Sequence, residues 1–296
     1  MKIIHSGFEY INNTDPLTIT IGNFDGIHIG HQELLKYVTQ FKDTKHALMT
    51  FDPHPAQILR KKEFKLLLQK IDKIKLLEAY KLDYLFVIIF NESFSQLTVK
   101  KFIDFLKRIN VQRIVLGRDA RFAYRGEGSI LDLKKHFKIV TLDDTLYNNT
   151  RVSTTYVKDL LSQGDIETVK RLLNRSYSVN GVVVHGNSIG KQLGYPTANI
   201  DFSSYYLPKN GVYYVKVLID GVSYDGMANI GNNPTINYTF ERKLEINILD
   251  FDKNIYGKNV EIIFHHYLRE EIKFDSKNEL TKQLKQDEAI IRTLLI

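Results

Sequence analysis

The sequence predicts two joined domains: an α/β domain with a parallel sheet, then an all-β domain, an antiparallel barrel or sandwich, that ends in a helix. Three observations carry this. The first half alternates apolar strand-like runs with helical patterns, the second half breaks into short β-type runs punctuated by Gly, Pro and Asn, and the last segment returns to helical periodicity. At 296 residues the chain exceeds one ordinary core, so the change of texture near residues 175–180 is read as a boundary between domains at 1–176 and 177–296.

The elements follow in order. MKII is read as a first strand, because no long apolar stretch before a small-residue cleavage site follows it. LTITIGNF, HALMTF, YLFVIIF, RIVLG and KIVTL are strand runs. HQELLKYVTQF, IDKIKLLEAYK and VKKFIDFLKRI supply the helical patterns between them. TYVKDLLSQGDIETVKRLLN reads as two helices with Gly164-Asp165 as the turn. SVNGVVVHG, GVYYVKVLIDG, SYDGMANIG, KLEINILDF and VEIIFHHYL are the strands of the second half. Ser276 and Glu279, spaced as a capping box, open the last helix. No internal repeat is visible.

Composition narrows the function classes. With no cysteine, disulfides, a thiolate nucleophile and cysteine zinc sites are excluded, so a metal must be held by oxygen or imidazole. No run approaches the roughly 18 apolar residues a spanning helix needs, and a cytoplasmic protein without membrane partners is expected. The net charge of +7 suits nucleic acid, an anionic surface or substrates rich in phosphate. The densest basic run, Arg60, Lys61, Lys62, Lys65, Lys70, Lys73 and Lys75, is interleaved with leucine and isoleucine, and a solvated helical face is its simplest reading. Nucleic acid is therefore not the expected partner, and oligomeric state is not legible.

The first constellation is Gly22-Asn23-Phe24-Asp25-Gly26-Ile27-His28-Ile29-Gly30-His31, between the strand LTITI and the helical pattern QELLKYV. A glycine-rich turn entering a helix lets backbone N–H groups approach phosphate oxygens. His28 and His31, three apart, can face one site and stabilise charge on a phosphoryl group as pyrophosphate leaves. Their alternative role is to build a tight turn.

These residues resemble the HxGH nucleotidyltransferase superfamily, and the longer string GNFDGIHIGHQ is similar to bacterial bifunctional riboflavin kinase/FAD synthetases. The resemblance implies a Rossmann-like first domain that transfers AMP to FMN. His28 and His31 would be catalytic, and Gly22, Asn23, Phe24, Asp25 and Gly30 would contact ATP. Thr50-Phe51-Asp52-Pro53-His54-Pro55 matches a second signature of that family at a strand end, which implies FMN contacts for Asp52, His54 and Pro55. Val152-Ser153-Thr154-Thr155-Tyr156-Val157-Lys158 is similar to its ISSTxIR motif and implies ATP contacts for Ser153, Thr154, Thr155 and Lys158. There Lys158 replaces an arginine and loses the bidentate fork. Where the family has GxDFxFG or GxDFxYG, this chain has Gly117-Arg118-Asp119-Ala120-Arg121-Phe122-Ala123. Asp119 and Phe122 remain as implied FMN contacts. Ala120 replaces a large apolar surface, and Ala123 a glycine suited to unusual backbone angles.

The second constellation runs from Gly181-Val182-Val183-Val184-His185-Gly186 through Gly190-Lys191-Gln192-Leu193-Gly194-Tyr195-Pro196-Thr197-Ala198-Asn199. Glycines around a lysine suit ATP phosphates, and the Thr197 hydroxyl and Asn199 carbonyl suit magnesium. The stretch resembles the riboflavin kinase signature GxxxGxxLGxPTAN, with Lys191 where the family has arginine. The resemblance implies a barrel rather than a sandwich, and ATP contacts for Gly190, Lys191, Gly194, Pro196, Thr197 and Asn199. It makes Glu245 the base that accepts the 5′-hydroxyl proton of riboflavin. In Glu245's strand, apolar neighbours would face the core and leave the carboxylate on the other face. Asn229, in ANIGNNPT, and Arg269, in LREEIKF, are the implied flavin contacts. For Arg269 an ordinary ion pair with a nearby glutamate is the competing reading. Asp250 and Asp252 fall at a turn rather than forming a metal pair.

The expected activity is therefore ATP-dependent conversion of riboflavin to FMN and of FMN to FAD, with magnesium as cofactor and small molecules as partners. Two alternatives stand beside it. One is a riboflavin kinase whose first half has lost adenylyl transfer through Ala120, Ala123 and Lys158. The other is a flavin- or RNA-binding regulator that kept the folds.

Overall fold

A computed structural model of the chain describes residues 1–59, 64–185, 195–202, 204–234 and 240–295. The chain divides into two compact units, Met1–Thr154 and Thr155–Ile296.

The first unit holds β1 (Lys2–Ser6), β2 (Leu17–Ile21), α1 (Ile29–Val38), β3 (Lys45–Asp52), α2 (Pro55–Leu59), α3 (Lys70–Leu77), β4 (Tyr84–Ile89), α4 (Glu92–Ser95), α5 (Val99–Arg108), β5 (Val111–Gly117), α6 (Ile130–Lys134) and β6 (Lys138–Leu142). A hairpin of β7 (Leu146–Tyr147) and β8 (Thr150–Arg151) follows. β1 to β6 form one parallel sheet in the order β1-β4-β3-β2-β5-β6. Its central strands are buried on both faces, so β4 (YLFVII) is a continuous apolar run and even the alternating β2 (LTITI) has Thr18 and Thr20 fully buried. β3 sends Ala47 and Met49 to one core and Leu48 to the other, and β4 likewise divides Phe86 and Ile88 from Leu85 and Val87. α5 covers the first face with Phe102, Phe105 and Leu106, while α1 and α3 cover the second with Leu35, Val38 and Leu77.

This strand order positions the site. From β2 the chain adds β3 and β4 on one side, then β5 and β6 on the other, so the loops leaving β2 and β5 part at their C-terminal ends. Such a reversal opens the crevice where parallel α/β sheets bind ligands.

The second unit begins at Thr155, the second residue of α7 (Thr154–Gln163), and continues with α8 (Ile166–Leu173). The expected turn separates them: Gly164 has φ +82°, and the Asp165 side chain caps α8 by accepting from Thr168 N at 2.9 Å. Then come β9 (Ser178–Val184), β10 (Ala198–Asp201), β11 (Gly211–Ile219), β12 (Val222–Pro234), β13 (Phe240–Ile248), β14 (Asn259–Arg269) and α9 (Lys277–Leu294). The strands close into an antiparallel barrel ordered β10-β13-β12-β11-β14-β9. Alternate residues such as Tyr213, Val215, Ala228, Ile230, Leu244 and Ile246 are buried and fill its interior.

Close approach at one barrel seam requires a glycine. A Cβ on Gly181 of β9 would lie 2.4 Å from Ile200 Cγ2 and 2.5 Å from the Asp201 carbonyl oxygen. Gly181→Ala is expected to destabilise the second unit by about 1–3 kcal/mol, the usual scale of overpacking. Thermal unfolding should show its midpoint fall by several degrees.

α9 packs Leu284 and Ile291 against Val212, Tyr214 and Met227 on the outside of the barrel. Its cap departs slightly from the expected box: Ser276 Oγ accepts from Glu279 N at 3.2 Å, but Glu279 Oε2 accepts from Asp275 N rather than from the N-cap residue. A buried ion pair fixes the helix, with Arg269 Nη2 2.7 Å and Nε 2.9 Å from the oxygens of the fully buried Asp287.

Candidate active sites

In the first unit the loop after β2 is rigid and strained. Phe24 (φ +50°) and Ile27 (φ +43°) lie in the left-handed region, where a β-branched residue is an outlier, yet both are buried. Backbone strain of this kind costs on the order of 1–3 kcal/mol and persists only where the surroundings enforce it. Here the enforcement is visible. Asp25 Oδ1 accepts from Leu67 N at 2.9 Å and Leu68 N at 3.1 Å, Thr154 Oγ1 donates to the Asp25 carbonyl at 3.0 Å, and Gln32 Nε2 donates to the Ile27 carbonyl at 3.0 Å.

This frame delivers the two histidines. His28 is the N-cap of α1, its Nδ1 accepting from His31 N at 3.4 Å. A neutral His28 that accepts at Nδ1 carries its proton on Nε2. The His28 and His31 rings stack with centroids 3.7 Å apart, and Phe24 backs His31 at 4.6 Å. Burial first, then the neighbouring His28 and the Lys73 ammonium, hold the His31 pKa well below its ordinary value, so His31 is neutral near pH 7. Gly30 leaves room for His28: a Cβ there would sit 3.3 Å from its ring.

Beside this loop, at the ends of β3 and β4, lies a cavity of about 210 Å³ lined by Thr50, Asp52, His54, Gln69, Lys70 and Lys73 among others. Asp52 is paired with Lys70 (2.6 Å) and His5 (3.2 Å) and precedes a cis peptide to Pro53. Pro55 starts α2, and the His54 ring stacks on Phe64 at 4.7 Å. The expectation of a solvated basic face fails at one residue. Lys73 is only 8% exposed, and its Nζ donates to the Asn23 carbonyl at 2.6 Å. Its position was readable in principle, since it lies four residues before the buried Leu77 on one stripe of α3. Arg60, Lys61 and Lys62 lie outside the described residues.

The loop after β5 carries the other expected flavin contacts. Asp119 pairs with Arg151 at 2.6 Å, and the Phe122 ring rests 5.0 Å from Phe102 with its backbone bridged to Gly128. Ala120 packs against the same core. Ala123 has φ +65° and ψ −171°, a region used almost only by glycine, so this departure stores strain. Ala123→Gly should raise stability by about 1 kcal/mol, the strain relief less the extra chain entropy of glycine. Urea unfolding checks this. Ser153 immediately precedes α7, and Thr155 and Lys158 lie on it in the second unit, where Lys158 Nζ sits 5.5 Å from the Tyr206 ring.

In the second unit, strand register assembles what the sequence scatters. Asn199 of β10 is paired with Glu245 of β13, Glu245 with Asn229 of β12, Asn229 with Val212 of β11, and Val212 with Arg269 of β14. Directly paired residues have Cβ atoms about 5 Å apart on one face of a sheet. Leu244 and Ile246 point into the barrel, so Glu245 and the residues paired with it lie on the outer face, as the alternation predicts. Within this row Arg269 is engaged by Asp287, an aspartate of α9 rather than a nearby glutamate. Pro196 enters β10 with its carbonyl accepting from Asn247 Nδ2 at 2.8 Å, and Thr197 follows it. The Tyr195 hydroxyl donates to Glu288 at 2.8 Å, and burial, then that carboxylate, pushes its pKa up to about 12. Gly190, Lys191 and Gly194 lie outside the described residues.

Two family models match the chain, FAD synthetase over residues 11–156 and riboflavin kinase over residues 173–295. A bifunctional riboflavin kinase/FMN adenylyltransferase of Buchnera aphidicola subsp. Acyrthosiphon pisum is 37% identical, covering 99% of this chain and 97% of the relative. A protein of the same description from Listeria monocytogenes is 35% identical, covering 91% of this chain and 90% of the relative. A crystal structure from Streptococcus pneumoniae, described as a macrolide-efflux protein, superposes with a TM-score of 0.90 at 31% identity over 98% of both chains. Among the described residues of this chain, no helix is long and apolar enough to cross a membrane.

Proposed function

The chain belongs to the bifunctional riboflavin kinase/FMN adenylyltransferase family, and on that premise we propose how its residues divide the chemistry. The enzyme phosphorylates riboflavin to FMN and then adenylylates FMN to FAD, using ATP in both steps.

For phosphorylation, the Glu245 carboxylate takes the proton of the riboflavin 5′-hydroxyl as that oxygen attacks the γ-phosphorus and ADP leaves. Asn199 and Asn229, paired to either side of it, offer amide groups to ATP and the flavin. Arg269, clamped by Asp287, closes the row at the flavin end. The Gly190, Lys191 and Gly194 segment and Pro196 serve the ATP phosphates. Magnesium fits the neutral hard oxygens of Thr197 and Asn199. Among the described residues no three His, Asp or Glu side chains gather to hold a metal, so an ion here would be shared with the ATP phosphates. When bound, it supplies charge neutralisation on those phosphates.

For adenylyl transfer, an FMN phosphate oxygen attacks the α-phosphorus of ATP and pyrophosphate leaves. His28 donates from Nε2 to the phosphoryl group as negative charge grows, while neutral His31 and Phe24 stack behind it. The backbone of Gly22, Asn23, Asp25 and Gly30, with Ser153, Thr154, Thr155 and Lys158, serves the ATP phosphates. Asp52, His54, Pro55, Asp119 and Phe122 serve FMN. We also place the enzyme in the cytoplasm, the compartment that supplies ATP.

The observation that carries this reading is the cross-strand row Asn199–Glu245–Asn229, which puts a carboxylate between two amides on the barrel surface. A time course of riboflavin, FMN and FAD with purified protein, ATP and magnesium tests it. FMN should appear first and FAD after a lag, and folded protein that converts neither flavin would overturn the reading.

A further inference from the structure

We infer that Lys73 is a positioning residue for adenylyl transfer, fixing the Asn23 carbonyl and thereby the loop that presents His28. The inference rests on the reading that the first unit adenylylates FMN. Lys73 lies on α3, outside every motif that marked the site, and no other residue of its basic run is buried among those described. Its ammonium donates to the Asn23 carbonyl at 2.6 Å and to Thr50 Oγ1 at 3.4 Å, while Thr50 Oγ1 itself donates to the same carbonyl at 3.0 Å. Both lone pairs of the Asn23 oxygen are thus occupied. One residue earlier, Gly22 N still bonds to the Met49 carbonyl of β3 at 3.0 Å. Asn23 is therefore the last point at which the sheet holds the chain before the strained turn that ends at His28.

A burial argument separates this role from plain structural support. Taking an ammonium out of water costs several kcal/mol, and an apolar side chain of similar volume in its place is often neutral or stabilising. The two hydrogen-bond partners that Lys73 gains are neutral groups. Burial lowers its pKa, and only the fields of Asp25 and Asp52 act the other way. A lysine retained at such cost does something an apolar residue cannot. Lys73 also lines the cavity together with Asp52 and His54, and its charge contributes to keeping His31 uncharged. One side chain thereby joins the wall of the cavity to the loop carrying the histidines.

The test uses the full chain. Lys73→Met should lower kcat for FAD formation from supplied FMN by at least about 100-fold, the scale on which misplacing reacting groups is felt. KM for ATP and FMN should stay within about threefold, because the loss is of positioning rather than of uniform binding. Riboflavin phosphorylation should be unchanged and the unfolding midpoint of the first unit unchanged or raised. Thr50→Val removes one of the two donors to Asn23 and should cost about tenfold in kcat, whereas Thr50→Ser keeps the hydroxyl and should stay near wild type. Lys73→Met at a wild-type rate overturns the inference. Should that variant not fold, the Thr50 pair decides, and equal rates for Val and Ser overturn it. Wild-type protein that makes FMN but no FAD would instead sink the assignment of adenylyl transfer to this half, a result distinct from either.

Discussion

Glu245→Gln should stop FMN formation and leave adenylylation of supplied FMN untouched. Glutamine keeps the size and position of the side chain on β13, so the pairing with Asn199 and Asn229 and the inward-facing Leu244 and Ile246 stay in place. What it loses is the ability to take a proton. A positioned general base contributes roughly 10²–10⁴-fold, and the expected fall in kcat for the kinase step is of that order. KM for ATP and riboflavin should move little, since the substitution acts on the transition state more than on binding. Separate assays with riboflavin and with FMN as the starting flavin measure both halves in one preparation. A residual kinase rate within about tenfold of wild type would remove Glu245 as the base. Loss of both activities in folded protein would contradict separate sites.

The role of Glu245 came from the resemblance to the riboflavin kinase family; that its outward face was legible in the strand, while its neighbourhood was not, is a matter of range. The alternation of buried and outward residues in KLEINIL is a local property, so the outward carboxylate was legible. Its partners are set by register between strands 46 and 16 residues away in sequence, at Asn199 and Asn229, and by the barrel closure that brings Arg269 into the row. No local pattern encodes that register. The Arg269–Asp287 pair is another case, because it depends on how α9 docks across the barrel.

In the first half the situation reverses. The strand, glycine-rich turn and helix entrance are contiguous, and their succession was readable, with β2 ending at Ile21 and α1 starting at Ile29. Its placement at the reversal of strand order follows from β3 and β4 adding on one side of β2 and β5 on the other. Charge patterning misled at Lys73 because the run Arg60 to Lys75 reads as polar by composition, although one lysine of α3 falls on the buried stripe. Ala123 was legible as a position that wants glycine, and the backbone there has the angles glycine prefers.

His28→Ala gives the complementary result, with FAD formation lost and FMN formation retained. Removing a single hydrogen-bond donor from a group whose charge grows in the transition state costs about 10²–10³-fold in kcat, and a loss of that size is expected for FMN adenylylation. His28 has a second role that alanine also removes: its Nδ1 caps α1 by accepting from His31 N. Loss of an N-cap typically costs about 1 kcal/mol, so a drop in thermal midpoint accompanies the loss of rate. The two effects part in His28→Asn. Asparagine is among the preferred N-cap residues and restores the acceptor for the His31 N–H, but its shorter amide does not reach where imidazole Nε2 reaches. The expected outcome is a midpoint near wild type with FAD formation still depressed by about 100-fold. If the asparagine variant recovered the rate together with the stability, His28 would be a cap that shapes the loop, and the donor to the phosphoryl group would have to be another residue of that turn.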